Sequence, residues 1–247
     1  MSVLNRRAVL ASGLAVAAFP LAGASAAPNW ETLTTEPYPG KRDDISFADG
    51  QHGWYGTGAG DLFRTVNGGV TWTKIASRPG TFIRALGFVD DRTGFIGNIG
   101  TDYYPGVTDK TPLYRTDDAG VTWAPVDPGG KTIAGVCAID ILKTQRIFQG
   151  QLQPHVVIHA AGRVGGPTGP LRSVDGGRTW SVRDMADVAG MILDVRFFDE
   201  RTGLVFASSS SVYGAGAKAP FRVLYGNDTT NITSCVSPRS EEHTSEL

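Results

Sequence analysis

Two cysteines in 247 residues exclude a disulfide-stapled framework. Cys137 lies alone in the apolar stretch 133–141, where a small core side chain is expected rather than a nucleophile. A basic excess is also missing. Lys plus Arg number 23 against 24 Asp plus Glu, which sets nucleic-acid binding aside. The N-terminal apolar run, 8–21, is short and broken by Pro20, so it does not read as a membrane-spanning helix. Cofactor motifs are lacking as well. Residues 162–166 (Gly-Arg-Val-Gly-Gly) precede neither a helical pattern nor Gly-Lys-Ser/Thr, which leaves them as a loop. His155 and His159 have zinc-site spacing, but Pro154 and the β-branched run 156–158 put them on a strand rather than a helix. No cofactor and no metal are expected.

What the chain has in quantity is glycine. Thirty-two glycines and fourteen prolines imply many tight turns between short elements. The two ends stand apart from this pattern. Arg6-Arg7, the apolar run and Ala24-Ser25-Ala26 resemble a twin-arginine export signal over residues 1–26, which implies a periplasmic or secreted product. At the other end, 239–247 (Arg-Ser-Glu-Glu-His-Thr-Ser-Glu-Leu) resembles a sequencing-library adapter translated in frame. The expectation is therefore a truncated gene product. The two Asn-x-Thr sequons at Asn227 and Asn231 fall near that end and carry no weight.

Between the ends the chain repeats itself. Thr65 to Trp72, Thr116 to Trp123 and Ser173 to Trp180 share the form [ST]-x-[DN]-x-G-x-T-W, with tryptophans 51 and 57 residues apart. A second pattern, Phe-x-Asp followed by Gly six residues after the Phe, occurs at Phe47, Phe88 and Phe197. In the third repeat Ala138-Ile139-Asp140 occupies the expected place and the glycine is missing. Each unit reads as four strands. The Asp or Asn of the box bonds nearby N–H groups, and its glycine takes positive φ. Its tryptophan is expected to plug the space between neighbouring sheets. The residues singled out for this structural role are Asn67, Gly69, Trp72, Asp118, Gly120, Trp123, Asp175, Gly177 and Trp180.

These boxes resemble the Asp-box (BNR) repeat, and the resemblance implies an all-β fold, a β-propeller of four-stranded blades. It covers about residues 30–207 and supplies some three and a half blades, fewer than a closed ring needs. Trp30 matches the start of a fourth strand without a box before it, as if it completed a final blade. Residues 208–238 carry no box and read best as frame-shifted sequence. With strands lettered A to D in each blade, A–B turns and boxes share one end, and B–C and D–A loops share the other. Long B–C loops at 100–111 and 160–169 put Tyr103, Tyr104 and Arg163 forward as binding residues.

Within Asp-box propellers the two motifs together look most like the photosystem II assembly and stability factor family. That resemblance implies a non-enzymatic scaffold binding a protein partner, with a membrane-protein complex as the kind of partner that family has. A carbohydrate is the other partner class. The alternative is a secreted glycoside hydrolase of sialidase or xyloglucanase type, which needs two inward carboxylates at the B–C end. The early Phe/Tyr-Arg-Ile-Pro motif of sialidases is missing here. The recurring Asp49, Asp90 and Asp199 read as turn residues.

Overall fold

The computed structural model describes residues 37–101, 104–130, 133–162, 169–184, 192–200, 202–206 and 231–233. The export signal, Trp30, Tyr103, Arg163, the C-terminal tail and most of 208–238 lie outside the described residues. Among the described residues, fifteen strands form four sheets. Sheet I is β1 (Ile45–Phe47), β2 (Gly53–Gly56), β3 (Asp61–Thr65) and β4 (Thr73–Ser77). Sheet II is β5 (Ile83–Phe88), β6 (Gly94–Asn98), β7 (Leu113–Thr116) and β8 (Ala124–Pro125). Sheet III is β9 (Val136–Phe148), β10 (Gln151–Gly162), β11 (Pro170–Ser173) and β12 (Ser181–Val182). These three are antiparallel meanders in chain order. Sheet IV holds β13 (Asp194–Phe197) and β14 (Thr202–Phe206), antiparallel, with β15 (Asn231–Thr233) parallel to β14. That third strand breaks the meander of the other sheets.

The Phe-to-Gly spacing has a steric cause. Phe47 pairs with Gly53, Phe88 with Gly94 and Phe197 with Gly203 across the A–B turn. In each case a Cβ on the glycine would run into the phenylalanine ring, so the ring lies over a strand position that no side chain can share. The Asp of each turn folds the chain back. Asp49 Oδ1 accepts N–H bonds from Gln51 and His52, and Asp90 Oδ1 those of Arg92 and Thr93. Asp199 accepts that of Thr202.

The third repeat follows a different register from the one expected of it. Ile141 takes the place of Phe47 and Phe88, and Ile158 that of Gly53 and Gly94, opposite Ser173. Asp140 thus lies inside the strand, where its Oδ2 accepts the Phe197 N–H at 2.7 Å. Between Ile141 and Ile158 the short turn is replaced by an extended hairpin through residues 142–157. Its tip, Gln149 (φ 50°) and Gly150 (φ 78°), is the two-residue left-handed turn that matches strand twist.

All three boxes form the C–D turn with one hydrogen-bond set. The first hydroxyl (Thr65, Thr116, Ser173) accepts the glycine N–H of Gly69, Gly120 or Gly177 at 2.8–3.0 Å. It donates to Asn67, Asp118 or Asp175. That side chain accepts the N–H of Thr71, Thr122 or Thr179. The two residues at the apex are left-handed in every box: Gly68 and Gly69, Ala119 and Gly120, Gly176 and Gly177. The first of each pair donates its N–H to the A–B side of its own sheet, at Gln51, Arg92 or Val156. The two sequence motifs are therefore hydrogen-bonded to each other.

The tryptophans do not all act as plugs. Trp180 is buried against Phe95 of sheet II, whereas Trp72 and Trp123 are half-buried. Trp72 packs edge-on to Phe47 and Tyr55 of its own sheet. The space between sheets is filled instead by the strand-B residue after the glycine, Trp54 and Phe95, both fully buried. Trp54 stacks on Phe88 at 3.6 Å and donates its indole N–H to Ala119 O of the next sheet. A central strand places these side chains in the middle of the inter-sheet space, while the box tryptophans sit at its rim. In sheet III the same position is His159, fully buried and stacked on Phe197 at 3.3 Å.

Candidate functional site

The first strand of every sheet is the innermost. β1 lies beside β5, β5 beside β9, and β9 beside β13. Together they line a cavity of about 400 Å³ that includes Asp44, Ser46, Phe47, Phe88, Asp140 and Arg196. Four sheets set radially round a channel, each starting at the axis, leave one architecture. The fold is a β-propeller.

No family model matches the chain. A curated xyloglucanase, Xgh74A of Acetivibrio thermocellus, is 36% identical over 107 residues, 36% of this chain and 13% of that protein. The chain thus spans under a seventh of the length of the curated relatives it matches. Among solved structures, YCF48 bound to a D1 peptide aligns at 18% identity and TM-score 0.43, covering 75% of this chain and 50% of that one. The GH74 enzyme of Niastella koreensis aligns at 16% identity and TM-score 0.41, covering 63% and 24%.

Side chains from neighbouring strands staple the channel wall. Asp44 Oδ2 accepts the Leu86 N–H at 2.6 Å, and Ser46 Oγ the Phe88 N–H at 3.1 Å, both from blade I to blade II. Asp140 repeats the contact from blade III to blade IV and pairs with Arg196 at 3.1 Å. Between blades II and III there is no such bond to make at Gly87, where Ile139 and Ile141 fill the space of a side chain. Burial pushes the Asp44 carboxyl above its usual range, against the pull of its N–H bonds and of Arg84. The neighbouring charge of Asp194 pushes the same way. Asp44 and Asp194 are thus two carboxylates at the D–A end of the channel. Asp44 is committed to backbone: its Oδ1 also accepts the Ile45 N–H.

The B–C and D–A loops meet at this end. The loop 104–112 is tied to the D–A loop by N–H bonds from Thr108 and Asp109 to Gly80 O. Asp109 is the hub: it accepts the Thr81 and Tyr114 hydroxyls and the Thr111 N–H. Burial raises its carboxyl, but these bonds and Arg78 outweigh burial and hold it below the usual range. Arg78 lies 4.0 Å over the Tyr114 ring. Tyr104, one of the expected binding residues, is exposed. Its ring packs edge-on to Phe82 at 4.9 Å with the Lys41 ammonium 5.4 Å from its centre. Arg42 caps Tyr38 and Tyr55 in the same way. Lys41, Arg42, Arg78 and Asp109 were not legible as site residues, because they come from three separate loops with no shared spacing.

Proposed function

We propose that the protein is an exported, non-enzymatic propeller that binds a protein partner through its B–C and D–A loops, in the manner of photosystem II assembly factors. The cluster of cations on tyrosine faces at that end carries the reading. Tyrosine and arginine held in fixed poses by a rigid scaffold are the side chains that dominate protein interfaces. The Asp109 hub makes that pose rigid before any partner arrives, which lowers the entropic cost of binding. A photo-crosslinking residue at Tyr104, in the full chain expressed with its N-terminal segment, should give one discrete protein adduct in the exported fraction. The same residue at exposed Lys74, on the outer strand β4, should not give that adduct. Equal adducts from both positions, or none from Tyr104, would remove the reading.

A glycoside hydrolase is the second reading, favoured by the xyloglucanase identity and by the Asp44 and Asp194 pair. It requires reducing ends to be released from xyloglucan or a sialoside, and this release to be lost in Asp194→Asn. Asp44 serves it poorly, since a carboxylate that holds two backbone N–H groups is not free to move a proton.

A further inference from the structure

Exposed apolar side chains are distributed unequally between the two ends. Among the described residues, the loop end exposes two large hydrophobics, Tyr104 and, at the start of β1, Ile45. The box end exposes Val66, Val70, Val121 and Val174 on its boxes and Phe198 on a turn. The inserted hairpin adds Ile147 (70% exposed), Phe148 (58%) and Leu152 (62%). Ile147 and Leu152 pair across the hairpin with Phe148 beside them, and an exposed apolar cluster of this kind marks an interaction site.

The hairpin is built to present its tip. β11 pairs with β10 only from Ile158 onward; Val156 and Val157 still pack against the blade, and residues 145–154 extend past it as two exposed strands. At about 3.3 Å per residue the tip reaches roughly 20 Å past Ile141. A two-stranded hairpin alone is marginally stable in water. Here the base is clamped on both faces. Glu200 of blade IV takes Arg146 at 3.1 Å and Thr144 at 3.4 Å, with His155 Nε2 at 3.5 Å. On the other face Lys143 Nζ donates to Ala48 O of blade I at 3.2 Å. Ile147 and Leu152 are directly opposite each other above these clamps, and Phe148 flanks the turn.

The surface round the hairpin decides what kind of partner fits. The A–B turns (48–52, 89–93, 198–202) carry five carboxylates and the boxes three, against Arg92, Arg178 and Arg201 and the hairpin's Lys143 and Arg146. Arg115 neutralises Asp117 at 2.7 Å. The hydrogen bonds within the turns keep Asp49, Asp118 and Asp175 ionised down to about pH 2. An acidic surface repels anionic lipid and favours basic groups.

We propose that the box end is a second docking surface, where the hairpin inserts Ile147, Phe148 and Leu152 among the apolar side chains of a protein segment that also carries lysine or arginine. This does not depend on the loop-end reading. The test uses the full chain and its Ile147→Ser, Phe148→Ser, Leu152→Ser variant, with fluorescein-labelled Lys-Leu, Glu-Leu and Lys-Gly repeat peptides as probes at 0.15 M salt. The Lys-Leu peptide should saturate the protein by anisotropy, and bind the variant at least tenfold more weakly. Glu-Leu and Lys-Gly should each bind the unaltered chain at least tenfold more weakly than Lys-Leu. All three substitutions are at exposed positions; should the triple variant lose its far-UV circular dichroism, Phe148→Ser alone carries the comparison. Equal binding by the variant, or by Glu-Leu, overturns the proposal. Co-sedimentation with phosphatidylglycerol vesicles that the variant loses would overturn it in favour of a membrane. A dimer that the variant loses would overturn it in favour of a second copy of this chain.

Discussion

His159 offers a sharp test of the inter-blade packing, because a titratable ring occupies a position that tryptophan and phenylalanine fill elsewhere. Burial, and then the charge of Arg172, push its pKa down from 6.5 to about 3. A base whose folded pKa is depressed contributes stability that is complete above its unfolded pKa and is lost as pH falls. The window runs from about 6.5 down to about 3, within which the unfolded chain binds the proton that the folded chain refuses. Each pH unit inside it costs about 1.4 kcal/mol. At pH 5 the loss is therefore about 2 kcal/mol, and at pH 7 it is only a few tenths. The perturbation is His159→Phe, which restores the ring used in blade II and removes the titration. Urea unfolding followed by tryptophan fluorescence at pH 7, 6 and 5 gives the two stability profiles. Contributions from all other groups cancel in their difference. The native chain should lose about 2 kcal/mol more than the variant between pH 7 and pH 5. Parallel profiles would show that the imidazole is solvated in the folded state, and the assignment of His159 as a blade plug would fail.

The boxes and turns yield three further expectations, each read as a shift in unfolding midpoint. Gly177→Ala places a methyl against the Phe95 ring at φ 84° and should cost about 2–4 kcal/mol. Gly176→Ala, with open space around it at φ 72°, should cost only about 1 kcal/mol; equal costs would refute the inter-blade contact. Asp118→Ala should cost about 1–2 kcal/mol through loss of its turn bonds, while Asp118→Asn should be close to neutral, since Asn67 makes the same bonds in the first box. Phe88→Ala should cost about 3–5 kcal/mol, because the ring both stacks on Trp54 and covers Gly94; a cost below 1 kcal/mol would mean that the glycine pairing is incidental.

Much of the fold was legible from local chemistry, because each blade restates the same short-range requirements. Box and turn residues satisfy their bonds within a few positions, so their spacing survives in the chain as a repeat. The four-strand reading of each unit is met in sheets I, II and III. Three things were decided only in three dimensions. The register of the third blade was one: Asp140 looks like a turn residue by position, yet serves the Phe197 N–H of a neighbouring blade, and Ile141 and Ile158 replace the Phe-Gly pair. Which aromatics fill the space between blades was another, since Trp54 and Trp72 are equally apolar and only their place in the sheet separates them. The loop-end cluster was the third. Lys41, Arg78 and the loop that carries Tyr104 and Asp109 come from separate parts of the chain and are brought together where it meets itself at the same end of the ring. Local hydrogen bonding writes itself into sequence spacing; contact between blades depends on the radial arrangement and leaves no spacing to read.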